Sequence, residues 1–307
     1  MITILGAGGA IGNELAKMLA AHGGGFRVVS RSGRAAEGAS ETVSADLTDL
    51  GQTVNAVAGS SVVYLLAGLK YDTKVWQEMW PRVMNNTIEA CKRAGARLVF
   101  FDNVYMYGRV SGAMTEETPF NPCSRKGEVR AKIAEQLMAE WKAGGLTGLI
   151  ARSADFYGPE TKNSVVNMLV FEPLSQGKTA SWLVNDGVAH SYTYTVDAAR
   201  AVMELAEREG AWMQTWHLPT AAPAMTGKAW VEAAAKALGV APKHRVLNRA
   251  MLKMAGWFNP VVAESYEMLY QSDAPYVFDC GKFAKEIGWA GTSYEEGIRA
   301  TAESYRK

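Results

Sequence analysis

Apolar residues fall in short runs separated by amphipathic stretches through the first half of the chain. The chain opens on a brief apolar strand, Ile-Thr-Ile-Leu, that runs into glycines at 6, 8, 9 and 12. Leu15, Met18 and Leu19 follow at helical spacing. Phe26–Ser30 reads as a second strand, and Ser61–Ala67 as a continuous apolar run of the kind buried parallel strands show. Val75–Arg93 has helical periodicity, with Pro81 inside it as a kink or a break. Arg97–Phe101 is another buried strand. Lys126–Ala143 is a helix closed by Gly144-Gly145, and Leu146–Ala151 is a strand again. This βαβα order predicts an α/β chain with a doubly wound parallel sheet. After Gly158-Pro159 the rhythm weakens; Ser164–Gly177 and Gly227–Leu238 read as helices between frequent Pro and Gly. The pattern predicts a sheet domain over 1–160, with 190–217 returning to it. Residues 161–189 and 218–307 then form a smaller, mostly helical part.

Composition narrows the function classes. Lys+Arg 32 against Asp+Glu 31 leaves a formal net charge of +1. That balance gives no reason to expect nucleic acid or an anionic membrane as partner. No apolar run approaches the roughly 20 residues that span a bilayer. The apolar start lacks a basic flank and is interrupted by glycines, unlike a signal peptide. Cys91, Cys123 and Cys280 are too few and too scattered for a disulfide framework or a metal cluster. A reducing cytoplasm is the simplest compartment. The 14 Met and 9 Trp either fill core or line an adaptable apolar pocket.

Gly6, Gly9 and Gly12, with Ala10 and Ile11 between them, sit where a strand turns into a helix. Glycines there let the backbone approach a pyrophosphate, and the N–H groups and positive end of the helix hold it. The alternative is a tight turn without a ligand. The Gly6-x-x-Gly9-x-x-Gly12 spacing resembles that of short-chain dehydrogenase/reductases, especially their extended, epimerase-like branch. That resemblance implies a Rossmann-type fold and a nicotinamide dinucleotide. An NAD site would carry Asp or Glu after the second strand, about 20 residues past the glycines. This chain has Ser30, Arg31 and Arg34 instead, which suit a 2′-phosphate and favour NADP(H) over NAD(H). A solvated basic turn is the alternative. Asp46 and Leu47, in Ala45-Asp46-Leu47, resemble the family's adenine-contacting segment. Ala67 and Gly68, in Leu66-Ala67-Gly68, resemble its small-residue turn beneath the cofactor.

The resemblance continues along the chain. Asp102–Gly108 looks like the family's Ser-Ser-x-x-Val-Tyr-Gly, Thr115–Pro119 like its Thr-Glu-x-x-Pro, and Arg152–Pro159 like its Arg-x-x-x-x-Tyr-Gly-Pro. Tyr194–Asp197 is similar to its later Val-Asp-Asp segment. The family's chemistry rests on Ser/Thr, Tyr and Lys, the last two as Tyr-x-x-x-Lys on one face of a helix. By register from Pro122 and Gly127, Lys126 takes the Tyr position and Arg130 the Lys position, while the Ser/Thr position falls on Asn103 or nearby. All three are replaced. Three readings follow. Tyr105 or Tyr107 does the acid/base work, Tyr105 ahead because Tyr107 belongs to the Tyr-Gly pair the family uses for structure, or Lys126 does it as an amine desolvated beside Arg130. Alternatively, Arg130 holds the cofactor in a sensor without turnover. Or Lys126 and Arg130 are a solvated helix face.

On the substrate side, Tyr107, Tyr157, His190 and Tyr192 are the candidates. The alternating run His190–Tyr194 reads as one strand with His190, Tyr192 and Tyr194 on a shared face, lining a pocket or packed in core. Trp216–Pro219 resembles the strand end where the family's substrate part begins. Trp257–Pro260 and Tyr266–Tyr270 close over a flat apolar substrate or fill core. No basic cluster suits a sugar-nucleotide diphosphate. The expected function is NADP(H)-dependent hydride transfer on a carbonyl or alcohol of a small molecule. A non-catalytic NADP(H)-binding regulator and an epimerase or dehydratase with retained cofactor are the alternatives. The resemblance also implies a homodimer through the helices at 75–93 and 126–143.

Overall fold

The computed structural model describes residues 1–306 and divides into two compact units. The first comprises Met1–Met106, Arg125–Arg152 and Ala198–Trp216. Its strands are β1 (Ile2–Leu5), β2 (Phe26–Ser30), β3 (Glu41–Ser44), β4 (Val62–Leu65) and β5 (Arg97–Asp102), joined by Gly148–Arg152 and a last strand starting at Thr215. The sheet runs β3-β2-β1-β4-β5 and then through those two later strands. β1 pairs in parallel with both β2 and β4, so Ile4 lies between Val28 and Tyr64. The pairs β2–β3, β4–β5 and β5 with Gly148–Arg152 are parallel as well. After β3 the chain crosses back to the other side of β1. The carboxyl ends of β1 and β4 therefore flank the topological switch point, where doubly wound sheets bind ligands.

The helices follow from their caps and faces. α1 (Ala10–His22) ends at Gly23 in the left-handed conformation. α2 (Leu50–Val57) starts at Asp49, whose side chain accepts from Gln52 N. α3 (Thr73–Ala94) is capped by Asp72 and closed by Gly95 at φ 64°. It continues through Pro81 as one helix. The buried stripe of Trp76, Trp80, Val83, Met84, Thr87, Ile88 and Cys91 spans both sides of the proline, and that packing outweighs one lost backbone bond. α4 (Arg125–Lys142) buries Lys126, Val129, Arg130, Ile133, Ala134 and Leu137.

The second unit comprises Tyr107–Ser124, Ser153–Asp197 and the chain from His217 onward. The helices Gly227–Leu238 and Tyr294–Ser304 close on a core that includes Tyr157, Tyr192, Tyr194, Trp230 and Tyr294. Trp230 meets Tyr157, Tyr192 and Tyr294 edge-on, with ring centroids 4.9, 5.0 and 5.1 Å apart. Such pairs add about 0.5–1.5 kcal/mol each beyond their buried area.

The organisation differs from the sequence expectation in three places. The sheet unit gives up 107–124 and 153–160 to the second unit, and only 198–216 returns to it. β3 has no apolar alternation to announce it, since its residues are mostly exposed; it exists through its register with β2. The expected strand His190–Tyr194 is two pieces. Ala189–His190 pairs antiparallel with Met225–Thr226, while Tyr192–Tyr194 pairs in parallel with Asp155–Tyr157. No helix among the described residues is long and apolar enough to cross a membrane. No group of metal-ligating side chains occurs among them either.

Candidate functional site

The turn after β1 is built on glycines at the two points of closest backbone approach. Gly6 sits at φ 103°, and a Cβ on it would lie 2.4 Å from Ala67 Cα. The turns after β1 and β4 are therefore in backbone contact. Gly6 N and Ala7 N both donate to Val29 O, at 3.0 and 3.1 Å. Gly12 brings the first turn of α1 under Gly6, where a Cβ would meet Gly6 O at 3.1 Å. α1 starts at Gly9 without a side-chain cap. Its first N–H groups thus have neither a helical nor a capping acceptor, the arrangement that receives an anion. Gly6→Ala is expected to lower stability by several kcal/mol and to abolish dinucleotide binding. Gly23→Ala, at φ 80° with open space around it, should cost only about 1 kcal/mol and leave binding intact. Thermal melts and calorimetric titration of both variants separate strain from clash.

The turns beyond β2 and β3 hold the remaining residues expected at a nucleotide. Ser30 Oγ accepts from Arg34 N at 3.0 Å, and Ser44 Oγ donates to Arg31 O at 2.9 Å. Arg34 reaches back to the glycine loop, its Cδ 3.9 Å from where a Gly8 Cβ would stand. Asp46 Oδ1 accepts from Thr48 N and Thr48 Oγ1, at 2.9 and 2.8 Å. Those two bonds, helped by the charge of Arg31, hold the Asp46 carboxyl below its ordinary range against a smaller opposing effect of burial. The carboxylate form is therefore the one folding favours. Leu47 O accepts from Asn86 Nδ2 at 3.0 Å, which ties that turn to α3.

At the end of β5 the structure places a buried charge cluster. Asp102 Oδ1 accepts from Arg130 Nε at 2.8 Å and from Arg130 Nη2, while Asp102 Oδ2 accepts from Arg152 Nε at 3.3 Å. The Arg130 guanidinium lies 4.5 Å from the centre of the Trp80 ring and 5.0 Å from that of Phe100. Arg130, expected to hold the cofactor, is bound by Asp102 inside the unit. One turn earlier on the same face of α4, Lys126 is 0 % exposed. Its Nζ donates to Thr73 Oγ1 at 2.8 Å and lies 4.8 Å over the Tyr71 ring. Tyr71 meets Trp76 edge-on, and Trp76 stacks on Tyr105 at 6.2 Å. The solvated-face alternative for Lys126 and Arg130 fails on their burial. Asn103 Oδ1 accepts from Tyr105 N at 3.0 Å and so anchors the short turn that carries Tyr105.

The expected substrate residues all lie in the second unit and all are packed. Tyr107 Oη and His217 Nε2 are 2.7 Å apart, and His217 Nδ1 is 2.8 Å from Asp279 O. A carbonyl only accepts, so Nδ1 carries the proton and Tyr107 donates to Nε2. Tyr157 lies inside the aromatic core, and burial pushes its phenol far up. Burial acts in the same direction on Tyr192. His190 is held at both nitrogens, by Gln271 O at 3.2 Å and Asp155 Oδ2 at 2.9 Å. The sequence did not single out Thr73, Tyr71, Trp76 or His217. Asp72-Thr73, a helix-start pair before an apolar stripe, carried a local signal for Thr73, and His217 was marked only as part of the Trp216–Pro219 segment.

Residues 2–214 match the NAD dependent epimerase/dehydratase family. The chain belongs to that family. Among solved structures it is similar to the UDP-glucose 4-epimerase of Thermus thermophilus in complex with NAD, at 19 % identity, TM-score 0.81, covering 99 % of this chain and 98 % of that one. It is also similar to a double mutant of the dTDP-glucose 4,6-dehydratase of Streptomyces venezuelae with NAD bound, at 19 % identity, TM-score 0.82, covering 100 % and 97 %. A third is the UDP-N-acetylglucosamine 4-epimerase of Bacillus cereus, at 16 % identity, TM-score 0.79, covering 99 % and 96 %. At these identities the likeness is one of fold. No curated protein matches the sequence.

Proposed function

We propose that this chain is a nicotinamide-dinucleotide oxidoreductase acting on a carbonyl or alcohol of a small molecule, with Lys126 as its acid/base group. The observation that carries the reading is Lys126: a wholly buried amine, held by Thr73 and roofed by Tyr71, at the position of the family's tyrosine. A wholly buried amine with a fixed hydroxyl partner is a built feature, since a buried charge is costly unless it is paired and hydrogen-bonded. The glycine turn, the uncapped start of α1 and the Gly6–Ala67 contact fit a dinucleotide pyrophosphate. When bound, that group supplies or accepts hydride at the substrate carbon. In this reading Lys126 Nζ gives or takes the proton at the substrate oxygen. Thr73 orients the amine, and the Asp102–Arg130–Arg152 cluster holds α4 against β5. Turnover of reduced cofactor with a panel of aldehydes and ketones tests the activity; absence of turnover with every member of the panel counts against it.

A second reading keeps one specific observation. Arg130 is held by Asp102, and the side-chain carbonyl of Asn103 by Tyr105 N, so two of the three family catalytic positions are engaged structurally. A non-catalytic dinucleotide-binding regulator fits that fact. It would bind cofactor tightly with no substrate consumed.

The cofactor preference rests on the turn after β2, where Ser30, Arg31 and Arg34 stand with no acidic residue in a strand-end position. NADP(H) is the expected partner. Arg31→Ala/Arg34→Ala should weaken NADPH about ten- to a hundredfold and leave NADH nearly unchanged, since each lost charge-assisted bond costs about 1.5–3 kcal/mol. Equal losses for both cofactors in a fluorescence titration would sink the 2′-phosphate role. A homodimer through α3 and α4 and a cytoplasmic setting complete the proposal, the first resting on the family resemblance and the second on the sparse, scattered cysteines.

A further inference from the structure

The sheet unit holds a small cavity that the proposed chemistry does not use. Ile2, Val62 and Tyr64 form its floor, on one face of β1 and β4. Leu19 of α1 and Met203 and Ala206 of the helix Thr195–Glu207 form its walls. Ile2 and Val62 are the first residues of their strands, so the cavity lies at the amino ends of β1 and β4. The glycine turn lies at the other end of β1, and the two places share no residue. The volume is about 90 Å³. A cavity of about 150 Å³ accepts benzene, so this one suits a body of about three or four carbons.

The floor carries a hydroxyl in an apolar setting. Tyr64 is 1 % exposed, and its hydroxyl makes no hydrogen bond among the described residues. A buried hydroxyl without a partner is costly. Water is a poor remedy here, because an internal water needs about two to four polar partners and the other floor and wall residues are apolar. Burial pushes the phenol up, and the charge of Glu207 adds to that. The group therefore stays a hydroxyl, able to accept a hydrogen bond from a ligand.

The mouth favours a cation. The exposed Glu207 lines it together with His22. Two helices end there: His22 closes α1, and Glu207 is the last residue of its own helix. Helix carboxyl ends carry orphan carbonyls and a partial negative charge, which attract positive groups. Neighbouring acids are engaged, Glu204 by Arg200 at 2.8 Å and Glu209 by Arg97 at 2.6 Å. Arg208 is exposed and lies outside the cavity lining.

We propose that this cavity binds a small organic ammonium compound, its short apolar chain among Leu19, Val62 and Met203 and its cationic head between the Tyr64 hydroxyl and Glu207. The site is independent of the dinucleotide and does not rest on the oxidoreductase reading.

Methyl-observed NMR tests this, because Ile2, Leu19, Val62, Met203 and Ala206 all carry methyl groups. The probe is n-butylammonium chloride. It should shift those methyls saturably with a Kd on the order of 1 mM, an affinity open to a ligand of about five heavy atoms. Butan-1-ol has the same shape without the charge and should bind at least about threefold more weakly. Butyrate, of the opposite charge, should bind at least about tenfold more weakly. Glu207→Gln, at an exposed position, should weaken n-butylammonium about three- to fivefold and leave butan-1-ol unchanged. Ala206→Met fills the cavity and should abolish binding of both. The proposal is overturned if n-butylammonium at about 20 mM moves none of these methyls. It is overturned equally if butan-1-ol or butyrate binds as tightly, or if Glu207→Gln or a folded Ala206→Met binds like the parent. Self-association of the parent that Ala206→Met abolishes, with the probe leaving the methyls unmoved, would assign the cavity to a side chain of a second copy instead.

Discussion

Asp102→Ala is expected to lower the unfolding free energy by about 3–5 kcal/mol, a large share of a domain's stability from one side chain. The reason is the company Asp102 keeps. It is 1 % exposed, and the two cations on it, Arg130 and Arg152, are 3 % and 1 % exposed. Removing the carboxylate leaves both guanidinium groups inside the sheet unit without the charge that balances them. Neither can reach water: Arg130 is packed between Trp80 and Phe100. The cost is the desolvation of an unmatched charge, which exceeds the net worth of the pair itself. That distinction gives the test. Asp102→Leu/Arg130→Met/Arg152→Met removes all three charges together and should recover most of the lost stability. Denaturant titration of the single and triple variants decides it. A triple variant no more stable than Asp102→Ala would show that the cluster stabilises the fold outright rather than being costly only when broken.

The same cluster shows where sequence reasoning reaches and where it stops. β1, β2, β4 and β5 were legible because buried parallel strands read as continuous apolar runs with glycine or polar punctuation. β3 was not, because an edge strand of Glu41, Thr42, Val43 and Ser44 forms by pairing with β2 and needs no apolar face. Pro81 suggested an interruption in α3, and packing on both sides of it prevailed. The run His190–Tyr194 alternated as a strand should, yet its two ends pair with different partners. Within the site, register alone placed Lys126 and Arg130 on one face of α4. What those cations meet was illegible, since Thr73 lies 53 residues from Lys126 and Asp102 lies 28 from Arg130. Asp102 was visible only as part of a motif in which the family has a serine. Asp102 and Arg130 together form a buried ion pair.

Lys126→Met should reduce turnover about 10²–10⁴-fold, the range that a positioned proton donor contributes. The choice of Met keeps volume and removes only the amine and its charge, so packing beneath Tyr71 is preserved. Cofactor affinity should change by less than about threefold, because in this reading the dinucleotide is held by the glycine turn and the β2 arginines rather than by α4. Thr73 provides the second arm. Its hydroxyl accepts from Lys126 Nζ at 2.8 Å and orients it; Thr73→Val should lower kcat with little change in KM, and Thr73→Ser should restore it. A residue that merely packs would respond to shape, and Val matches Thr more closely in shape than Ser does. Rescue by Ser and not by Val therefore isolates the hydroxyl. If Lys126→Met turns over like the parent, the amine is not the acid/base group, and Tyr105, stacked on Trp76 beside the same cluster, becomes the residue to replace next. If the parent itself consumes no substrate while binding cofactor tightly, the geometry around Arg130 and Asn103 belongs to a protein that senses the dinucleotide instead of using it.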